Sequence, residues 1–179
     1  MKEETIYNGL LMGGFVIAIL IFIVLFYVIA PYGRHVRKGW GPVIDNRMGW
    51  IIMEAVSPVL FAVCFMIGTN PKTLTLIIFF GMWEAHYIHR AFIYPFSLQS
   101  PVKRMPVVVI ALGIFFNAVN AYLNGRYIFT FSDGYSVGWL TDPRFITGFI
   151  LFIIGFIHLD VEKTFDNLHI IFNPVMNLS

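Results

Sequence analysis

The residues best suited to chemistry lie between positions 84 and 90, just after an apolar run from Leu74 to Met82. Five side chains there can carry a charge or donate a proton: Glu84, His86, Tyr87, His89 and Arg90. Such groups are costly in hydrocarbon, so they normally face a bundle interior or an aqueous cavity. The preceding apolar run holds one more acid, Glu54. We predict that Glu54 and Tyr87 meet inside a helix bundle and form a proton-donating site.

Glu54 has two interpretations. It lies about two turns into its apolar run, which begins at Met48. In the first interpretation, a glutamate near a helix end extends to the aqueous boundary or pairs with an arginine. In the second, the carboxyl lies in an apolar cavity, where desolvation disfavours its charged form and keeps it protonated near neutral pH. A protonated carboxyl can donate a hydrogen bond to a substrate oxygen.

Tyr87 also has a structural and a functional interpretation. Tyrosine is common at membrane boundaries, where its apolar ring contacts lipid and its hydroxyl is solvated. However, Trp83, Tyr87, Arg90 and Tyr94 recur at intervals of four, three and four residues, which places them on one helical face. A polar and aromatic stripe of this kind is poorly suited to lipid, so we expect it to line a cavity.

The same segment does not favour a metal centre. His86 and His89 are i, i+3 neighbours, but Glu84 lies nearly opposite them around the helix. A metal site needs three or four ligands in the correct geometry. Histidines that hydrogen-bond between helices fit this spacing better, so no metal is predicted.

The composition is typical of an integral membrane protein. Of the 179 residues, 58% are apolar and 12% are charged, whereas a soluble domain carries about 25% charged residues. The net charge of +2 is too small to indicate a nucleic-acid partner, and membrane lipid is the expected surrounding. The single cysteine, Cys64, excludes a disulfide within the chain and is interpreted as an inert buried thiol.

Five apolar runs predict an all-α, polytopic membrane helix bundle of about five spans. The runs cover residues 9–30, 48–68, 74–94, 106–123 and 145–159. The last is short for a hydrocarbon core of roughly 30 Å. Residues 124–143 are rich in aromatic side chains and are predicted to lie at the membrane interface. Residues 1–159 form the predicted transmembrane domain, and residues 160–179 form a divergent polar tail.

The basic residues predict the orientation of the spans. The first loop contains Arg34, Arg37, Lys38 and Arg47, and the third contains Lys103 and Arg104. The second loop has Lys72 alone. Because cytoplasmic loops carry the excess of lysine and arginine, the first and third loops are predicted to be cytoplasmic. The N-terminus is then outside and the C-terminus is cytoplasmic.

Six fragments, taken together and in order, resemble the steroid 5α-reductases (3-oxo-5α-steroid 4-dehydrogenases). They are Ala-Pro-Tyr-Gly-Arg-His at 30–35, Gly-Trp-Ile-Ile-Met-Glu at 49–54, His-Tyr-Ile-His-Arg-Ala-Phe-Ile-Tyr-Pro at 86–95, Lys-Arg-Met-Pro at 103–106, Asn-Ala-Tyr-Leu-Asn-Gly-Arg-Tyr at 120–127 and Gly-Trp-Leu-Thr-Asp-Pro-Arg-Phe at 138–145. The resemblance covers about residues 27–157.

This resemblance implies a membrane reductase of the endoplasmic reticulum, or of the inner membrane in a bacterium. The family uses NADPH to reduce the C4–C5 double bond of a 3-oxo-Δ4-steroid. The resemblance implies that Glu54 and Tyr87 hydrogen-bond the 3-keto oxygen. Trp50, Met53 and Phe116 are the implied substrate-binding residues, and Lys103, Arg104 and Arg90 are the implied cofactor-binding residues.

After Ile157 the chain departs from the family pattern. Relatives continue with an Asn-x-His-Ser-Asp-type motif and further spans that supply most cofactor contacts, whereas His158-Leu159-Asp160 follow here. We therefore expect a chain that is truncated or divergent in its C-terminal part. Besides an NADPH-dependent steroid reductase, two alternatives remain. One is a non-catalytic member that binds steroid or pairs with a full-length homologue, and the other is an enoyl-CoA reductase of the wider superfamily.

Overall fold

A computed structural model describes residues 2–27, 41–97 and 104–172, with side chains described through residue 157. The described residues are mainly helical, which confirms the all-α class. In chain order they form α1 (Lys2–Leu25), β1 (Val43–Asp45), α2 (Asn46–Ile67), α3 (Leu74–Ile88), a π-helical turn (His89–Ile93), α4 (Tyr94–Ser97), β2 (Arg104–Pro106), α5 (Val107–Arg126), a second π-helical turn (Tyr127–Phe131), a 3-10 turn (Val137–Thr141) and α6 (Pro143–Phe172).

Among the described residues, three helices are long and apolar enough to cross a membrane. They are Lys2–Leu25, Asn46–Ile67 and Val107–Phe131, and Pro143–Ile157 is a shorter apolar helix. Leu74–Ile88 has 15 residues and continues into the first π-helical turn. The predicted count of five spans and the predicted orientation therefore stay predictions.

A short antiparallel ladder, which the sequence analysis missed, joins the starts of α2 and α5. Val43 pairs with Pro106, Ile44 with Met105 and Asp45 with Arg104. Asp45 then caps α2, because its Oδ1 accepts from the backbone N–H groups of Arg47 at 2.9 Å and Met48 at 3.1 Å. The contacts between the two helices show that α2 and α5 run in parallel, because Gly49 lies beside Ile110 near their starts and Cys64 lies beside Gly125 near their ends.

Small residues let α2 and α5 approach closely. A Cβ atom built on Gly125 would lie 2.7 Å from Cys64 Cβ and 3.2 Å from Phe61 Cδ2. Nearer the ladder, a Cβ atom on Gly49 would lie 2.9 Å from the sulfur of Met105. Close approach through small residues is the usual way in which helices pack inside membranes, where apolar burial provides little driving force.

α3 runs antiparallel to α2 along an aromatic contact. Phe65 stacks on Phe80 with ring centroids 4.4 Å apart, and Phe61 stacks on Trp83 at 4.3 Å. Phe129 meets the edge of both α2 rings at 5.1 Å and is fully buried. Phe129 is therefore a core residue, and the interfacial position predicted for residues 124–143 stays a prediction.

α1 starts earlier than predicted because its acidic start has a distant partner. Arg126 donates from Nε to Glu3 Oε1 at 2.7 Å and from a terminal nitrogen to Oε2 at 2.8 Å. Tyr7 packs beside this pair, against the rings of Tyr122 and Phe131. These contacts hold the first turns of α1 on α5, while its later residues are largely exposed.

The chain divides into two compact units, residues 1–72 with 76–134, and residues 73–75 with 135–179. In the second unit, the hydroxyl groups of Thr73 and Thr75 donate to the backbone oxygens of Tyr135 and Ser136, each at 2.8 Å. Asp142 precedes α6, which continues through Phe172 into the predicted tail. Hydrogen bonds from Arg144 lower the pKa of the exposed Asp142 carboxyl to about 2.

Gly125→Ala is expected to destabilise the protein by about 1–3 kcal/mol, because the added methyl group overlaps Cys64 and Phe61 across the α2–α5 contact. Unfolding in mixed micelles measures the loss. Gly81→Ala is the matched control, since a Cβ atom there meets nothing within 4 Å. The control should gain up to about 1 kcal/mol from helix propensity. Equal stability of the two variants would contradict the close approach of α2 and α5.

Candidate active site

Glu54 is buried between α2 and the π-helical turn that follows α3. Its side chain is 4% exposed, and Oε1 accepts from Nε of Arg90 at 2.8 Å. Oε2 is buried and has no hydrogen-bond partner among the described residues. The structure therefore pairs a buried carboxyl with a guanidinium whose side chain is 38% exposed, which matches the first interpretation of Glu54. The second carboxyl oxygen stays available to a ligand.

The predicted stripe on α3 does face α2. Trp83 stacks on Phe61 at one end of the stripe. At the other end, Tyr94 meets the edge of the Trp50 ring, with ring centroids 5.4 Å apart. The guanidinium carbon of Arg90 lies 5.2 Å from the centre of the same Trp50 ring. A cation over an indole face is stabilised by the ring quadrupole, so Trp50 helps to hold Arg90 beside Glu54.

A chain of amide groups on α5 orients the hydroxyl of Tyr87. Asn124 donates from Nδ2 to the side-chain oxygen of Asn120 at 3.0 Å. Asn120 in turn donates from Nδ2 to the oxygen of Tyr87 at 3.2 Å. Because a phenol can accept and donate at once, the hydrogen of Tyr87 remains available to a second acceptor. Tyr87 is thereby held as a donor.

Asn117 ties the same face of α5 to α2. Its Nδ2 donates to the backbone oxygen of Met53 at 2.9 Å, and the residue is 5% exposed. Asn117 and Asn120 are i, i+3 neighbours and so share a helical face. One asparagine contacts the residue before Glu54 and the other contacts Tyr87. The same face of α5 therefore contacts both the backbone next to Glu54 and the hydroxyl of Tyr87.

The remaining predicted substrate-binding and cofactor-binding residues differ in their burial and in their distance along the chain from Glu54 and Tyr87. Met53 is buried in a cluster with Met105 and Ile110, and Trp50 packs against that cluster. Phe116 is 66% exposed on α5 and is not brought to the buried residues. Arg104 is exposed in β2. Lys103 lies outside the described residues.

Sequence reasoning missed two groups that organise this site. A third, Arg90, was predicted as a cofactor ligand, which stays a prediction, and its described contacts are with Glu54 and Trp50. Asn117 and Asn120 were assigned no individual role. Their signal was present in the sequence, since amides inside an apolar span normally hydrogen-bond to other helices. In the described ranges, no group of three His, Cys, Asp or Glu side chains lies close enough to hold a metal ion.

A double-mutant cycle of Glu54→Gln and Arg90→Gln should give a coupling free energy of roughly 1–3 kcal/mol in mixed-micelle unfolding. Arg90→Gln alone should destabilise most, because it leaves the buried carboxylate without a cation. The control cycle uses the exposed pair of Asp142 and Arg144, whose Arg144 side chain is 74% exposed. That cycle should give less than about 1 kcal/mol. Equal coupling in both cycles would contradict the burial of the Glu54 carboxyl in its pair with Arg90.

Known proteins match most of this chain. A family model described as 3-oxo-5-alpha-steroid 4-dehydrogenase matches residues 103–168. A steroid 5-alpha-reductase of Gossypium hirsutum is 33% identical over 162 residues, covering 86% of this chain and 61% of the relative. The steroid 5-alpha-reductase of Arabidopsis thaliana is 33% identical over 151 residues, covering 79% and 56%. The 3-oxo-5-alpha-steroid 4-dehydrogenase 1 of Bos taurus is 31% identical over 143 residues, covering 78% and 55%.

The chain spans about three-fifths of the length of the first of these relatives. The aligned part includes most of the chain, and the plant and mammalian relatives have similar levels of identity to it. The family model also extends past residue 157. This chain therefore belongs to the steroid 5α-reductase family.

Proposed function

We propose that this protein reduces the C4–C5 double bond of 3-oxo-Δ4-steroids with NADPH as the reductant. One observation carries the proposal. A buried carboxyl oxygen of Glu54 without a partner and a phenol held as a donor, Tyr87, lie on the same side of α5. Membership of the steroid 5α-reductase family supports the choice of an enone as the substrate.

The reaction requires stabilisation of an oxygen that gains negative charge. When a hydride adds to C5, the electrons of the double bond move toward the carbonyl and produce an enolate at the 3-oxygen. C4 is then protonated, which gives the saturated ketone. Preorganised donors aimed at such an oxygen are worth roughly 3 kcal/mol each when water is excluded.

Tyr87, and Glu54 once its carboxylate has gained a proton, can supply two such donors. The Tyr87 hydroxyl accepts from Asn120 and directs its own hydrogen elsewhere. In its protonated form, Glu54 would accept from Arg90 with Oε1 and donate from Oε2, which has no other described partner. The guanidinium of Arg90 would add positive charge near the developing enolate.

Among the described residues, Arg104 is suited to bind a phosphate group of the cofactor. Arg104 is exposed at the ladder from which α2 and α5 begin, and an exposed guanidinium suits a phosphate group. Lys103, the next basic residue, would complete this pair. When bound, NADPH supplies the hydride. Arg90 contributes to the substrate end of the site instead, since Glu54 already engages it.

The membrane setting suits a lipid-soluble substrate. A steroid or another apolar enone can reach the site from the bilayer, whereas the charged cofactor must come from the aqueous side that holds Arg104. We place the protein in the endoplasmic reticulum membrane, or in the inner membrane of a bacterium. Pairing with a full-length homologue is a further proposal for the cofactor-binding part.

A second candidate function is steroid binding without turnover. It is favoured by the engagement of Arg90 with Glu54, which removes one of the three cations predicted to bind the cofactor. Separate titrations with NADPH and with a 3-oxo-Δ4-steroid distinguish the two functions. Binding of steroid without NADPH binding would favour this second candidate.

Glu54→Gln and Tyr87→Phe should each lower steroid turnover by about a hundredfold, because each removes or weakens one donor to the enolate oxygen. Conversion of a labelled 3-oxo-Δ4-steroid with NADPH measures the loss. A 2-enoyl-CoA is the competing substrate, and preferential reduction of it would contradict the steroid assignment. Glu4→Gln and Tyr127→Phe are matched controls at exposed positions and should retain full turnover.

Asn120→Ala should lower turnover by roughly tenfold, because it releases the hydroxyl of Tyr87 from its fixed orientation. The same substitution in a Tyr87→Phe background should have little further effect, since the group that Asn120 orients is already absent. Steady-state kinetics of the two single variants and the double variant check this. Multiplicative losses in the double variant would show that Asn120 acts independently of Tyr87.

A further inference from the structure

Ser57 is a buried hydroxyl that no contact in the described residues explains. The residue is 0% exposed, and its Oγ has no hydrogen-bond partner among the described residues. A serine inside a helix normally bonds the carbonyl three or four residues earlier. Here the hydroxyl bonds to neither of these oxygens. The carbonyl of Met53 instead accepts from Asn117.

Pro58, the residue after Ser57, adds a second break in the hydrogen bonding of α2. It lies inside α2 and has no N–H group to donate to the carbonyl of Glu54. The chain therefore places three polar groups within one turn of α2: this carbonyl, Glu54 Oε2 and Ser57 Oγ. An unpaired buried hydroxyl destabilises the folded protein, because it has lost its hydrogen bonds to water without replacement. A partner that satisfies Ser57 would remove that cost.

The register of α2 against α3 places Ser57 opposite Tyr87. Contacts between the two helices pass from Phe65 and Phe80, through Phe61 and Trp83, to Glu54 and Arg90. Ser57 lies between Phe61 and Glu54 on the same face of α2, and Tyr87 lies between Trp83 and Arg90 on the facing stripe. The hydroxyl of Ser57 and the carboxyl of Glu54 are i, i+3 neighbours.

We propose that Ser57 Oγ and Glu54 Oε2 form a subsite for one oxygen atom, which lies between α2 and Tyr87. Ser57 is then a third oxygen-binding group of the site, in addition to Glu54 and Tyr87. The oxygen belongs to a bound water in the free protein or to the ketone of the ligand. Both sources have the lone pairs that a serine hydroxyl and a protonated carboxyl can bind.

The catalytic consequence of this subsite rests on the proposed function, whereas its occupancy can be measured without turnover. The test compares Ser57→Ala, which removes the hydroxyl, with Ser57→Thr, which retains it. Three readouts are the midpoint of thermal unfolding, the affinity for a 3-oxo-Δ4-steroid and the infrared carboxyl band of Glu54. Loss of that band in Glu54→Gln identifies it.

If water occupies the subsite, Ser57→Ala should lower the unfolding midpoint and shift the Glu54 band without steroid, and Ser57→Thr should preserve both. If only the ligand oxygen binds there, the midpoint should stay the same or rise, because an unpaired hydroxyl has been removed. Steroid affinity should then fall by roughly tenfold in Ser57→Ala and recover in Ser57→Thr.

Two results would overturn the proposal. One is a Ser57→Ala variant with unchanged midpoint, carboxyl band and steroid affinity. The other is a lower midpoint with an unmoved carboxyl band and unchanged affinity, which would indicate only a small void. If the protein neither binds nor reduces steroid, the measurements without steroid still decide whether an oxygen occupies the subsite.

Discussion

The ion pair of Glu54 and Arg90 connects α2 to the π-helical turn that follows α3, and the other contacts of the site depend on it. A buried carboxylate is costly unless a cation and further hydrogen bonds compensate it. Arg90 supplies the cation at 2.8 Å and is itself held against the ring of Trp50. The pair engages only one carboxyl oxygen. The second oxygen, Oε2, is therefore buried without a partner among the described residues, and the contact of Arg90 with Oε1 fixes its position.

The two asparagines of α5 extend this constraint to Tyr87. α5 packs along α2 from Ile110 beside Gly49 to Gly125 beside Cys64, with Asn117 between these contacts. Asn117 secures the backbone at Met53, and Asn120 fixes the phenol on α3. Glycine at position 125 allows the close helix contact on which this alignment relies. These contacts position the Tyr87 hydroxyl and the Glu54 carboxyl without a ligand, and in the proposed reaction such preorganisation is the condition for electrostatic stabilisation of a developing charge.

The sequence was sufficient for the features that depend on local patterns. Apolar runs predicted the helices, and the spacing of Trp83, Tyr87, Arg90 and Tyr94 predicted the stripe that contacts α2. The sequence was insufficient for elements whose structure depends on a partner far away along the chain. Three-residue strands are too short to recognise until they pair.

Other differences between the predictions and the structure also arise from contacts with residues that are distant in the sequence. Glu3 lies inside a helix because Arg126 compensates its charge from 123 positions away. Phe129 is a core residue because α2 provides two aromatic partners, which its own neighbours do not reveal. Arg90 contacts Glu54, an acid on another helix that the neighbours of Arg90 in the sequence do not reveal.

The most direct measurement is the infrared frequency of an isotope-labelled 3-ketone in the bound steroid. If Tyr87 and Glu54 converge on the ketone oxygen, the carbonyl band should shift to lower frequency on binding, and this shift should shrink in Tyr87→Phe and in Glu54→Gln. A bound steroid whose carbonyl band matches that in an apolar solvent, and does not change in either variant, would contradict the shared oxygen site.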